Sequence, residues 1–190
     1  MTIANKLEEK RRRYEELKRG KNKYTFKDDG IKRTHDKMFL LDVSLSMSGN
    51  KLQNAKIALD KYIKAGDGLI VFGEEAHYIP EGQLNTIQPY GLTAMLPAIV
   101  LSMKYNAVEI IIITDGDPNE GGNTMDVLEY VSDLTGFKID TIGIGDDCDI
   151  SFLETLSEGT GGKSIHVDSP EYLDGAIALL YAPSIQLTEG

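Results

Sequence analysis

Short apolar runs alternate with amphipathic segments along most of this chain, from Lys37 onward. Short apolar runs bounded by Gly, Asp or Ser predict strands, whereas apolar residues that recur every three or four positions predict helices. The predicted strands are MFLLDV, GLIVFG, AVEIIIIT, KIDTIGIG and KSIHV, and AHYIP is predicted to be the return arm of a hairpin that begins with GLIVFG. The predicted helices cover residues 51–65, 94–105, 124–134, 150–157 and 170–181, and the first has its apolar positions at Leu52, Ala55, Ile57, Leu59 and Ile63.

The strand AVEIIIIT carries four consecutive isoleucines, Ile110 to Ile113. A strand with one face in water alternates apolar and polar residues, so this run predicts a strand that is covered on both faces. Strands and helices that alternate around such a strand predict an α/β fold, a Rossmann-like, doubly wound and mostly parallel sheet with helices on both faces. The segment AHYIP would add one antiparallel edge strand, a position that suits Pro80.

Polar side chains follow the predicted strands at three places. Asp42, Ser44 and Ser46 come at the end of the first strand, Thr93 lies in the loop G-L-T, and Asp115 follows the isoleucine strand. Alternate side chains of an extended segment point the same way, which would direct the first three oxygens at one point. Ligands of a doubly wound sheet bind in a crevice beyond the carboxyl ends of the strands. If the first strand and the isoleucine strand are neighbours, Asp42 and Asp115 both lie at that crevice. Such an all-oxygen set suits Mg²⁺, with Mn²⁺ or Ca²⁺ as alternatives.

Charge divides the 190-residue chain, which has a net charge of −10, into two predicted parts. Residues 1–37 carry 13 Lys/Arg and 7 Asp/Glu, a balance of +6, whereas residues 38–190 carry 7 and 23, a balance of −16. We therefore expect a basic N-terminal helix and linker over residues 1–36 and a single domain over residues 37–190. Glu residues interleave with the basic ones, which favours a solvated helix face over a nucleic-acid contact. The narrow apolar stripe of this arm predicts a docking or tethering helix, with Ile3, Leu7, Tyr14 and Leu17 on one face.

Cysteine content and hydropathy exclude several classes of protein. The single cysteine, Cys148, rules out an internal disulfide and a thiolate cluster for zinc. No apolar run reaches 18 residues, and no apolar core follows the charges of the N-terminus. Neither a membrane span nor a secretory signal is therefore expected, and the predicted location is cytoplasmic.

The order of these polar motifs resembles that of the von Willebrand factor A (VWA) family with a metal-ion-dependent adhesion site (MIDAS). The family's D-x-S-x-S motif is matched by Asp42, Ser44 and Ser46, its loop threonine by Thr93, and the aspartate of its T-D-G sequence by Asp115. The segments DTIGIGDD and LSEGTGGKSIHV also resemble the family, and the similarity covers about residues 37–181. The threonine loop reads G-L-T where the family often has G-G-T, a departure that bears on loop movement more than on metal binding.

This resemblance implies a function in protein recognition rather than catalysis. The five matched residues would hold a divalent cation, Mg²⁺ first, with Thr93 and Asp115 acting directly or through water. The cation would engage an Asp or Glu side chain of a partner protein. Some intracellular members of the family pair with AAA-type ATPases, so such a system is one expected partner, and neither a membrane nor a nucleic acid is expected.

Two alternatives stay open at the level of sequence. The D-G-D sequence at 115–117 is similar to the D-x-D motif of haloacid-dehalogenase-type phosphatases, which would make the protein a Mg²⁺-dependent hydrolase. The other alternative is a metal-free scaffold in which Ser46, Ser48 and Thr93 only cap helices. The three histidines are scattered, and His166 is interpreted as a strand residue rather than a base.

Overall fold

The computed structural model describes His35 and residues 37–181. The prediction of a basic helical arm falls on residues 1–36, which apart from His35 lie outside the described residues, as do residues 182–190.

Strands and helices alternate through the described part of the chain. The strands are β1 (Lys37–Asp42), β2 (Gly68–Phe72), β3 (Ala76–Tyr78), β4 (Glu109–Thr114), β5 (Lys138–Ile144) and β6 (Ser164–Val167). The helices are α1 (Asn50–Tyr62), α2 (Met95–Lys104), α3 (Thr124–Ser132), α4 (Ile150–Glu158) and α5 (Leu173–Tyr181), with 3₁₀ turns at Leu45–Met47, Leu84–Thr86 and Pro170–Tyr172. Among the described helices, none is both long enough and apolar enough to cross a membrane.

The six strands form one sheet in the order β3-β2-β1-β4-β5-β6. All neighbouring pairs are parallel except β2 and β3, so the predicted hairpin and its antiparallel edge strand are confirmed. Strand β1 pairs with β4, and Leu40 lies opposite Ile112. The chain adds β2 and β3 on one side of β1 and the remaining strands on the other, so the strand order reverses between β1 and β4. A crevice forms at this position, beyond the carboxyl ends of the strands.

The isoleucine strand β4 is covered on both faces, as predicted, and all four isoleucines are completely buried. Ile110 and Ile112 pack in the core beneath α2, α3 and α4, whereas Ile111 and Ile113 pack in the core beneath α1 and α5. Burying each of these side chains stabilises the fold by about 1.5–3 kcal/mol as an upper estimate. Strands β1 and β4 both contribute buried residues to each of the two cores, and these are the strands that end at the crevice.

One predicted core position is wrong. Ile57 was expected on the apolar face of α1, but 52% of its surface is exposed, and the buried residues of that helix are Leu52, Ala55, Ala58 and Leu59. Ile57 follows Ala55 by two residues, which places it on nearly the opposite side of a helix with about 3.6 residues per turn. The helix predicted over 170–181 begins as a 3₁₀ turn and becomes α5 only at Leu173.

Candidate metal centre

Asp42, the last residue of β1, is completely buried and held at both of its carboxylate oxygens. The backbone N–H of Ser44 donates to Oδ1 at 2.8 Å, and the Thr114 hydroxyl donates to Oδ2 at 2.5 Å. The first bond is an Asx-type turn that directs the chain away from the sheet, and the second joins β1 to β4. The carboxylate is therefore fixed in place by its own neighbours.

The two serines that follow Asp42 connect it to Asp115. Ser44 Oγ lies 2.9 Å from Ser46 Oγ, and Ser46 Oγ donates to Asp115 Oδ1 at 2.8 Å. The reason expected for this convergence was wrong, because the chain is not extended here but forms the 3₁₀ turn Leu45–Met47. The turn brings the hydroxyls together, and the pairing of β1 with β4 brings them to Asp115.

Thr93 lies on the loop before α2, which is hydrogen-bonded to the 3₁₀ turn that carries Ser46. Its backbone N–H donates to Asn119 Oδ1 at 2.9 Å, and the same loop accepts a hydrogen bond at the Gly91 carbonyl from the Leu45 N–H at 3.2 Å. Thr93 is buried, and its hydroxyl forms no hydrogen bond within the described part of the chain. The loop is thus bonded both to the turn at residues 44–48, here called the serine turn, and to the segment after β4. The Thr93 hydroxyl is available to a ligand.

Burial makes the Asp42 carboxylate hard to ionise. Desolvation raises its pKa from 3.8 to about 6, with a smaller contribution from the negative charge of Asp115, although the hydrogen bonds from Thr114 and Ser44 lower it. Asp115 is itself completely buried. Two buried carboxylates in one crevice favour a positive charge between or beside them.

Lys51 supplies one such charge, although it was not among the site residues predicted from the sequence. It lies in the first turn of α1, and its Nζ is 2.5 Å from Asp115 Oδ2. Thr114 and Asn119 were missed as well, since a threonine at the end of a strand and an asparagine in a turn are ordinary local choices. The signal that could have identified Lys51 is a cation at the start of a helix, where the helix dipole disfavours it.

Comparison with known proteins agrees with this architecture, although no protein-family model matches the chain. Inter-alpha-trypsin inhibitor heavy chain H4 from Homo sapiens is 32% identical over an alignment 173 residues long, and the match covers 72% of this chain. The chain spans about a fifth of the length of that relative, 19%. The solved structure of a von Willebrand factor type A protein from Catenulispora acidiphila superimposes with a TM-score of 0.66 at 19% identity, covering 78% of this chain and 42% of that chain. The chain contains a VWA domain.

A second solved VWA neighbour contains a metal. It is proximal thread matrix protein 1 from the mussel byssus with a zinc-occupied MIDAS motif, and it superimposes with a TM-score of 0.59 at 16% identity, covering 78% of this chain and 47% of that chain. At such identities the likeness concerns the fold, so the ligands of this VWA domain must be judged on its own side chains.

Helix capping does not explain the polar residues of the VWA crevice. The N-cap of α1 is Gly49 and that of α2 is Ala94, and neither helix has a side-chain hydrogen bond at its cap. Ser48 instead donates to the Leu45 carbonyl at 2.6 Å within the 3₁₀ turn. The capping role considered for Ser46, Ser48 and Thr93 is therefore wrong.

The features that suggested a hydrolase have other partners in this VWA domain. Asp117 Oδ1 accepts the backbone N–H of Asp149 at the start of α4, at 2.8 Å. His166 lies in β6, as interpreted from the sequence, and its ring Nε2 donates to the Gly145 carbonyl at 2.8 Å. Asp146, His166 and Asp168 approach one another within 4.8 Å at the ends of β5 and β6, as a separate and largely exposed group.

The donors at the carboxyl ends of β1 and β4 fit a hard divalent cation. Two carboxylates and two serine hydroxyls lie in one hydrogen-bonded group, a third hydroxyl lies on the adjoining loop, and an ammonium already stands against one carboxylate. Oxygen donors of this kind suit Mg²⁺, Mn²⁺ or Ca²⁺, and the described group contains no thiolate or imidazole that would favour a softer ion.

Proposed function

We propose that this VWA domain is a metal-dependent protein-recognition module. In this proposal a divalent cation is held by Asp42, Ser44, Ser46, Thr93 and Asp115, and its open position accepts a carboxylate from a partner protein. The observation that carries the proposal is the meeting of two completely buried aspartates with serine hydroxyls at the point where the strand order reverses.

The charge of the donors supports binding of an anionic group. Asp42 and Asp115 contribute two negative charges, and the three hydroxyls contribute none. A divalent cation bound by these groups would therefore have its charge balanced without an excess of negative charge. Such a cation retains affinity for one further anionic oxygen. A carboxylate supplies that oxygen together with a short directional bond, and the surrounding surface then sets specificity.

The choice of metal follows from this donor chemistry, whereas the partner is proposed from the family resemblance. Mg²⁺ is the first choice, with Mn²⁺ and Ca²⁺ as alternatives, and the zinc-occupied MIDAS motif of the mussel protein is a precedent for a divalent ion in a VWA fold. The partner presents Asp or Glu, and an AAA-type ATPase system in the cytoplasm is one candidate. A hydrolase is disfavoured because Asp117 is held by the backbone of Asp149 and no described histidine contacts the two buried aspartates.

Thr93→Ala is expected to weaken carboxylate capture at least about tenfold while changing stability by less than about 1 kcal/mol. The Thr93 hydroxyl makes no hydrogen bond in the described part of the chain, so its removal should cost the fold little. The probe is a short peptide with one Asp, titrated onto Mn²⁺-loaded protein while the relaxation rate of water protons is followed. A carboxylate that replaces a metal-bound water lowers that rate.

The matched controls are the same peptide with Asn in place of Asp and the variant Thr86→Ala. Thr86 is an exposed threonine seven residues before Thr93, and its hydroxyl donates to the Gln83 carbonyl at 2.7 Å rather than to any residue of the crevice. Capture that is equal for both peptides, or that persists in excess chelator, would show that no metal–carboxylate bond forms. Mg²⁺-dependent hydrolysis of phosphate esters that Asp115→Asn abolishes would establish the hydrolase instead.

A further inference from the structure

Lys51 makes the closest ionic contact at the crevice. Its Nζ lies 2.5 Å from Asp115 Oδ2, and the Asp115 side chain has no exposed surface while that of Lys51 is 27% exposed. The other oxygen of Asp115 accepts the Ser46 hydroxyl. Both carboxylate oxygens of Asp115 therefore have partners before a metal arrives, one neutral and one positively charged.

The position of Lys51 in its helix is unfavourable on local grounds. It is the second residue of α1, where the partial positive charge of the helix N-terminus disfavours a cation. No acidic residue occupies the first turn of α1 to offset this cost. The contact that offsets it is the ion pair with Asp115, which is 64 residues away in sequence.

A metal ion and the Lys51 ammonium would compete for the same carboxylate. Two positive charges a few ångströms apart repel each other, and the repulsion doubles when one of them is divalent. A divalent cation that binds Asp115 must therefore either move Lys51 Nζ away from Asp115 Oδ2 or bind next to the ammonium charge. Either outcome costs free energy that is subtracted from the affinity for metal.

We propose that Lys51 is a tethered counter-cation which balances Asp115 in the metal-free domain and which a divalent cation must displace in order to bind. This inference rests on the proposed function, because it assumes that the crevice binds metal. It assigns Lys51 two effects of opposite sign: the residue stabilises the metal-free fold and weakens metal binding. The domain would then stay folded without metal and load only above a threshold concentration of the ion.

The test is a calorimetric titration of chelator-stripped protein with Mn²⁺ at one pH and one salt concentration. Lys51→Met is expected to bind Mn²⁺ about tenfold more tightly than the wild type, the effect of removing one competing charge pair that is partly buried. Lys51→Arg keeps the charge and should stay within about twofold of the wild type. Thermal unfolding gives the second readout. The metal-free Lys51→Met protein should melt at a lower temperature than the wild type, and Mn²⁺ should raise its melting temperature by more than it raises that of the wild type.

The matched control is Lys61→Met on the same helix. Lys61 also pairs with an aspartate, Asp174, at 3.1 Å, but both side chains are about half exposed, and ten residues of helix place Lys61 about 15 Å from Lys51. Its removal changes net charge equally and should leave Mn²⁺ affinity unchanged. If Lys51→Met fails to fold without metal, Lys51→Gln, which keeps a hydrogen-bond donor, takes its place with the same expected gain.

The outcomes separate this inference from the proposed function. If the wild type binds Mn²⁺ and the neutral Lys51 variants bind it equally or more weakly, the role of Lys51 is wrong. The proposed metal site is unaffected by that result. An equal gain in Lys61→Met would show a general effect of net charge and would also overturn it. If the wild type and the variants all fail to bind Mn²⁺, Mg²⁺ or Ca²⁺, both the proposed function and the role of Lys51 are wrong.

Discussion

Asp42→Asn is expected to abolish divalent-cation binding and, at the same time, to make the metal-free domain more stable at neutral pH. The pKa of Asp42 is raised from 3.8 to about 6, chiefly by burial, so the folded protein holds this proton more tightly than the unfolded chain does. Stability from a raised pKa is complete below the unfolded value and is lost as the pH rises through the folded value. Above about pH 6 the ionised carboxylate therefore costs roughly 3 kcal/mol, which asparagine avoids.

The neighbours of Asp42 can accommodate the amide. The Ser44 N–H still finds a carbonyl oxygen, and the Thr114 hydroxyl can turn to the Gly116 carbonyl, 2.9 Å away, and accept from the new amide group. Urea unfolding in the presence of chelator at pH 7.5 and pH 4 measures the effect. The gain over wild type should be largest at pH 7.5 and should shrink at pH 4. Asp60→Asn, an exposed aspartate on α1, should show no such gain.

A loss of stability at pH 7.5 would contradict this account. It would mean that the charged form of Asp42 is well compensated in the metal-free fold, and that the hydrogen bonds from Ser44 and Thr114 outweigh the cost of burial. Unchanged metal affinity in Asp42→Asn would separately remove this residue from the proposed metal shell.

Gly91→Ala is expected to lower the free energy of unfolding by about 2 kcal/mol or more and to weaken metal binding at least about tenfold. Gly91 has φ +69°, and a Cβ built on it would lie 2.5 Å from Glu74 Cβ and 2.6 Å from Glu74 N, so the backbone must move. The loop cannot move alone, because its carbonyl at Gly91 accepts the Leu45 N–H of the serine turn. The displacement therefore reaches Ser44 and Ser46 as well as Thr93.

Gly82→Ala separates backbone strain from steric contact. Gly82 also has a positive φ, +81°, but a Cβ there would meet nothing within 4 Å. This control should lose only about 1 kcal/mol of stability and none of its Mn²⁺ affinity. Calorimetry and urea unfolding of the two variants give the comparison, and equal losses in both would show that the Gly91 loop is not coupled to the crevice.

The two largest effects concern different properties of the same crevice. Asp42→Asn removes a charge that the fold holds at a cost, whereas Gly91→Ala disturbs the loop that orders the donors. The first should raise stability while eliminating metal binding, and the second should lower both. Measuring the two variants together therefore separates the cost of burying the Asp42 charge from the effect of moving the ligand oxygens.

Local pattern alone determined the elements of the fold and the residue types at the crevice. Four isoleucines in a row indicated a strand buried on both faces, and the alternation around it indicated a doubly wound sheet, because burial and periodicity act over a few neighbouring residues. The five candidate ligands were found because carboxylates and hydroxyls follow strands whose carboxyl ends share one edge of such a sheet. The same reasoning failed at Ile57, where counting apolar residues took no account of the exact helical face.

Tertiary structure alone decided which side chains touch. The bond from Thr114 to Asp42 spans 72 residues and the ion pair of Lys51 with Asp115 spans 64, and both depend on the pairing of β1 with β4. The raised pKa of Asp42 likewise arises from complete burial beneath elements that are distant in sequence. Periodicity describes which face of an element is buried but not which residue of another element lies opposite it. Charge balance at the crevice is a property of those opposite residues, and for that reason only the folded chain revealed the role we assign to Lys51.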